Sequence, residues 1–174
     1  MKIASRIFIT ISIAAGFLIT GCSGNECYDN HSAIPLAAFF NSASKQPVTL
    51  NKIEIYGIGA PGDSLLYTPQ NMSQAYLPFR IWEDTTSYVI AYAENVPDSI
   101  ATKYPELLPS DTVTFIYTPT EWFSSPGCGA MYYFKMKEVK HSSFLLDSVS
   151  YDEIITNENI VNVKMFFREA VIEE

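Results

Sequence analysis

The feature that most constrains this chain is a period of two. In residues 86–93, Tyr88, Ile90 and Tyr92 share one side, and in residues 111–117, Val113, Phe115 and Tyr117 do the same. From 130 to 139, Tyr132, Phe134 and Met136 oppose Lys135 and Lys137, and further on Val161, Val163, Met165 and Phe167 alternate with Asn162, Lys164 and Arg168. Successive side chains of a strand point to opposite faces, so this pattern buries one face and wets the other. Helical spacing is hard to find. Ile34–Phe40, Val48–Ile58, Ala75–Ile81 and Asp147–Ile155 are further strand candidates between Pro, Gly, Asn and Asp turn signals. The expectation is an all-β fold, an antiparallel immunoglobulin-like β-sandwich of about eight strands. Gly59–Ser73 and Glu94–Ser110 are expected as long connections, the second because Pro97, Pro105 and Pro109 resist a regular element around one helical turn at Ile100–Tyr104.

The N-terminus follows different rules. Lys2 and Arg6 precede an apolar run from Ile7 to Ile19, about a dozen residues, the length of a signal-peptide h-region. A membrane span needs about 20. The run leads into Leu18-Ile19-Thr20-Gly21-Cys22, which has the form of a lipobox: an aliphatic residue three before the cysteine, small residues next, then the thiol that receives a diacylglyceryl group. The expected organisation is a lipoprotein signal peptide at 1–21, a lipidated tether at 22–26 and a single β-sandwich domain at 27–174. Several acyl chains on Cys22 would make the anchor stable. Ser23-Gly24-Asn25-Glu26 has no Asp beside the cysteine to signal inner-membrane retention and no dense acidic tract for surface export. The expected location is therefore the outer membrane, facing the periplasm.

Removing 21 of the 174 residues leaves 153, enough for one hydrophobic core, and takes the formal charge from −8 to −10 because Lys2 and Arg6 are lost. So acidic a surface excludes nucleic acid as a partner. Export would place Cys27 and Cys128 where disulfides persist, and the expectation is that they pair. Such a bond closes a loop of about 100 residues, for which chain entropy gives up to about 4.7 kcal/mol. The rival, a metal held by these two thiols, lacks His partners at a suitable spacing.

Three stretches carry a resemblance: His31 to Phe40 (HSAIPLAAFF), Ile55 to Ser64 (IYGIGAPGDS) and Ser125 to Phe134 (SPGCGAMYYF). They resemble a domain-of-unknown-function family of small lipoproteins from Bacteroidota, over a span from Cys27 to Arg168. That resemblance implies a lipoprotein with paired cysteines and implies no activity.

The motifs that bear on chemistry point away from catalysis. Gly57-Ile-Gly59-Ala-Pro-Gly62 fits G-x-G-x-x-G, but Pro61 interrupts it, Asp63–Tyr67 continues as strand and no crossover helix follows, so a turn centred on Pro61-Gly62 is expected and no cofactor. His31 and His141 are the sole histidines, with no G-x-S-x-G elbow to accompany them. Glu83-Asp84, Asp152-Glu153 and Glu173-Glu174 place adjacent carboxylates on opposite faces of a strand, and no calcium loop is present, so no metal site is expected. Among the aromatic residues, Trp82, Trp122 and Phe123 lie at a strand end or beside proline-rich turns, where core packing is the first expectation and a binding platform for sugars or peptides the second. Asp precedes a hydroxyl residue at Ser64, Thr85, Ser99, Thr112 and Ser148, a pattern similar to the O-glycosylation motif of exported Bacteroidota proteins and equally to turn chemistry. The reading is a non-enzymatic binding or structural accessory lipoprotein with an envelope protein partner. The alternative is an envelope hydrolase acting on glycan or peptide through Asp29, His31 or the exposed acids.

Overall fold

A computed structural model describes residues 33–60, 65–94, 108–125 and 129–168. Among these there are ten strands and no helix: β1 (Leu36–Asn41), β2 (Leu50–Gly57), β3 (Leu65–Met72), β4 (Gln74–Tyr76), β5 (Thr85–Tyr92), β6 (Ser110–Ser125), β7 (Gly129–His141), β8 (Leu146–Tyr151), β9 (Ile154–Ile155) and β10 (Val161–Phe167). They form two sheets, ordered β4-β1-β10-β8 and β3-β2-β5-β6-β7-β9. The all-β expectation holds, with ten strands where about eight were expected. Pairing is antiparallel except between β1 and β10, which run parallel with Phe39 opposite Met165. Two strands far apart in sequence thus join the beginning and end of the described chain, which an expectation of uniform antiparallel pairing misses.

The period-two residues make the core. Val113, Phe115 and Tyr117 of β6 are fully buried, as are Phe134 of β7 and Val163 and Phe167 of β10. Phe39 and Phe167 meet edge-on at 5.5 Å within the four-stranded sheet, while Tyr92 meets Phe167 across the sheets at 6.5 Å. Such aromatic pairs add about 0.5–1.5 kcal/mol each beyond the area they bury.

Where the pattern is weak, the reading departs from the fold. Residues 59–73 were expected as a long connection with strand only as far as Tyr67, yet β3 runs on to Met72. Its side chains are almost all exposed, so the strand has no buried face to imprint alternation, and backbone pairing with β2 defines it. Ala75–Ile81 is strand only as far as Tyr76, and Asp147–Ile155 divides into β8 and β9, which belong to different sheets.

One short crossing between the sheets, from β7 to β8, is held by a buried carboxylate. Asp111, at the start of β6, is 0% exposed. Its Oδ1 accepts the Ser142 hydroxyl at 2.6 Å and the Phe144 N–H at 2.7 Å. Its Oδ2 accepts the N–H groups of Leu145 and Leu146 and the Tyr92 hydroxyl, all at 2.8 Å. The Arg168 guanidinium holds the same turn from its carbonyl side, donating to Ser143 at 2.6 Å and Phe144 at 3.2 Å. Burial pushes the Asp111 carboxyl up, but the bonds from Ser142, Leu146, Leu145 and Tyr92 outweigh it and hold it below the usual carboxylate range. Burial also raises the Tyr92 phenol far above its ordinary value, so Tyr92 remains a donor.

Asp111→Asn places an amide N–H₂ against these donors and is expected to lower unfolding free energy by about 3 kcal/mol in urea titrations. Because the folded carboxyl is depressed, its contribution is complete above the unfolded value of about 3.9 and is lost as pH falls through the lower folded value. The stability difference between wild type and Asp111→Asn should therefore be flat at neutral pH and shrink only below about pH 4.

Candidate functional site

The β6–β7 hairpin outruns its neighbours. β5 pairs with β6 only as far as Ile116, and β9 pairs with β7 only at Phe134 and Lys135. Beyond them, the hairpin continues through Thr120 opposite Tyr133 to Ser125 opposite Gly129. A register shift between Ile116 and Tyr117 decides what this projecting end displays: Phe115 lies opposite Val139, but Tyr117 lies opposite Met136. After the shift, Met136, Phe134 and Tyr132 share the face of Tyr117, Pro119 and Glu121, while Trp122 and Met131 pair on the other face.

A loop from Leu77 to Asp84 runs beside this end. Phe79 is its buried anchor, stacked on Tyr117 at 4.5 Å and 7° and set edge-on to Phe134 at 5.2 Å. The Tyr117 hydroxyl receives the Arg80 N–H and donates to the Arg80 carbonyl, both at 2.9 Å, and meets Thr86 Oγ1 at 2.6 Å. The Tyr88 hydroxyl donates to the Pro78 carbonyl. Burial raises the Tyr117 and Tyr88 phenols, which keeps these clamps protonated. Arg80 pairs with Glu83 at 2.8 Å and donates to the Ile58 carbonyl in the β2–β3 connection. Gly59 sits there at φ +69°, where any other residue is strained, with Arg80 Nη2 3.4 Å from where a Cβ would stand.

This frame holds Trp82 out into solvent, 84% exposed. Its ring meets Tyr132 edge-on at 6.2 Å. Trp82, Tyr132, Pro119, Glu83, Asp84 and Glu121 line an open cleft of ≈ 700 Å³. On the other face of the hairpin, Trp122, Met131, Tyr133, Ile154 and Thr156 line an apolar slot of ≈ 280 Å³, which Tyr132 also borders. Trp122 is 54% exposed and Phe123 62%. The three aromatic residues singled out from sequence thus lie at one end of the molecule, with Trp82 and Trp122 on either side of Tyr132. Sequence reasoning missed Tyr132 as a site residue, because its strand alternation places it with the core.

Other expected positions are scattered or lie elsewhere. Cys22, Cys27, Cys128, Asp29, His31, Pro61, Gly62, Ser64 and Ser99 lie outside the described residues. Thr85 opens β5 and donates to Asp84 at 3.1 Å, and Ser148 lies in β8 opposite Phe166. Thr112 follows the buried Asp111, so at that motif the acid has a structural task independent of any sugar. His141 ends β7 and its Nδ1 lies 2.6 Å from the Ser142 carbonyl, the geometry of a ring N–H donating to that oxygen. No group of three or more His, Cys, Asp or Glu suited to a metal occurs among the described residues.

Two facing sheets around an aromatic core, with open clefts at a projecting hairpin, define an all-β domain of ten described strands. A family model described as a family of unknown function, DUF6452, matches residues 52–167, and the chain belongs to that family. The match takes in two of the three stretches that carried the resemblance and begins after the third, in β2. No curated protein and no solved structure matches this chain significantly.

Tyr117→Phe removes the hydroxyl that clamps Arg80 and should destabilise the fold by about 1–3 kcal/mol. The Arg80 amide should exchange with solvent faster than in wild type, whereas Trp82→Ala should change stability by less than about 0.5 kcal/mol.

Proposed function

We propose that this protein is a lipid-anchored envelope protein that binds a protein partner through the cleft around Trp82 and Tyr132. The observation that carries the reading is the display of Trp82 in solvent beside Tyr132, on a frame fixed by Phe79, Tyr117 and Arg80. Rigid aromatic side chains held open to solvent are the residues from which interface anchors are drawn. Glu83, Asp84 and Glu121 beside them favour a partner with basic groups at its contact surface. Among the described residues, Arg80 pairs with Glu83 of this set.

The anchor is the lipid on Cys22, with residues 1–21 removed as a signal peptide, and the location is the periplasmic face of the outer membrane. Two facing sheets with binding groups at one end are the sense in which the immunoglobulin-like reading enters the proposal. Binding is favoured over hydrolysis because Glu83, Asp84 and Glu121 line a cleft open to solvent, and the histidine among the described residues stands away from it. His141 lies nine residues along β7 from Tyr132, about 30 Å in an extended strand.

Pairing of Cys27 with Cys128 belongs to the same reading. The Ala33 N–H donates to the Tyr132 carbonyl at 2.8 Å, so the described chain begins beside the hairpin that carries Cys128. Six residues back to Cys27 and four back to Cys128 give each thiol reach enough to meet the other.

Tagged protein from detergent-solubilised membranes should recover the same partner reproducibly, and Trp82→Ala with Glu121→Lys should abolish the recovery. Repeated purification without a partner would sink the accessory role. Cys22→Ala should move the protein out of the membrane fraction while leaving the fold intact. Intact mass before and after reduction should differ by two hydrogens, and Cys27→Ser should lower stability by about 2–4 kcal/mol. A mass unchanged by reduction rejects the disulfide.

A further inference from the structure

The apolar slot on the other face of the hairpin is a separate surface with its own chemistry. Trp122 and Ile154 are exposed there by 54% and 49%. Tyr133 and Met131 line the slot behind them. Trp and Tyr favour the boundary between lipid headgroups and acyl chains, where an apolar ring and a polar edge are both satisfied.

Charge separates this face from the cleft. Along β7, exposed Lys135 and Lys137 follow Tyr133 back from the projecting end, and Lys140 lies beyond them. Lys135 lies 3.7 Å from Glu153 and Lys140 3.6 Å from Glu138, so the carboxylates here are offset by neighbouring cations. The cleft face carries Glu83, Asp84 and Glu121 against Arg80. A phosphate-bearing surface is repelled less by the slot face than by the cleft face.

The point where the described chain begins favours this end of the molecule as the one nearest the bilayer. The described chain begins at Ala33, hydrogen-bonded to Tyr132 at this end of the molecule. Eleven Cα-to-Cα steps lead from Cys22 to Ala33, a reach of at most about 40 Å. A bond between Cys27 and Cys128 shortens the free tether to five residues, about 18 Å.

We propose that Trp122, Tyr133 and Ile154 form a membrane-contact face that rests in the lipid headgroup boundary and turns the acidic Trp82 cleft away from the bilayer. The proposal rests on lipid anchoring at Cys22 and adds an orientation to it. The occupant is the lipid surface itself, reached by apolar and aromatic contact and not by a specific headgroup.

The two tryptophans make the test direct. Full-length lipidated protein is reconstituted into phosphatidylcholine vesicles with brominated acyl chains, once as Trp82→Phe, which leaves Trp122, and once as Trp122→Phe, which leaves Trp82. Trp122 should emit at shorter wavelength than Trp82, and brominated lipid should quench it by roughly twofold or more, as for a ring at the interface. Trp82 should keep solvent-exposed emission and little quenching. Lipid on Cys22, shown by intact mass and vesicle flotation, together with an unquenched Trp122, overturns the orientation and leaves the anchor standing. A mass without lipid removes the anchor and the orientation with it. Quenching of Trp82 in preference to Trp122 reverses the proposed face.

Discussion

The Asp111 carboxylate is the interaction on which the two-sheet arrangement most depends. Five donors converge on its two oxygens, three of them consecutive backbone N–H groups of the chain passing from β7 into β8. A bare turn at that place would bury amides with no partner, since Leu146 is fully buried as soon as β8 begins. One ionised side chain removes that penalty, and Arg168 supplies the matching donors for the carbonyls of Ser143 and Phe144. Because Tyr92 both binds Asp111 and packs on Phe167, the polar clamp and the apolar core share a residue. Breaking either strains the other.

The same economy of parts builds the candidate site. Tyr117 is a core residue by burial and a loop clamp by its hydroxyl, so the packing that closes the sandwich also sets the position of Arg80. Trp82 follows two residues later and inherits that position while remaining in solvent. A ring displayed from a rigid loop loses little conformational freedom on contact with a partner, which is the physical advantage of presenting it this way. The hairpin meanwhile separates two environments: an acidic cleft on one face and an apolar slot on the other, divided by one strand pair.

Much of the fold was legible because burial writes itself into alternation. Tyr88, Ile90 and Tyr92, then Val113, Phe115 and Tyr117, and later Val163, Met165 and Phe167 are read from sequence and found inside. Legibility failed where structure comes from backbone pairing without burial, as in β3, and where a turn divides one apolar run between two sheets, as at Asp152–Glu153 between β8 and β9. It failed too for function-bearing detail. Asp111 reads as an acid before a hydroxyl residue, one of five similar pairs, and nothing local says that five donors will reach it.

By itself the sequence determined that the chain is all-β and that its core is aromatic, because period-two alternation is a property of the string. It also marked Trp82, Trp122 and Phe123 as rings at strand ends and beside turns. Only the tertiary structure decided that β1 runs parallel to β10, that a register shift puts Tyr132 between the two tryptophans, and that Asp111 binds a turn some thirty residues away. Those outcomes depend on which distant segments share a sheet or a buried carboxylate, and a pattern confined to neighbouring residues contains no record of such pairings.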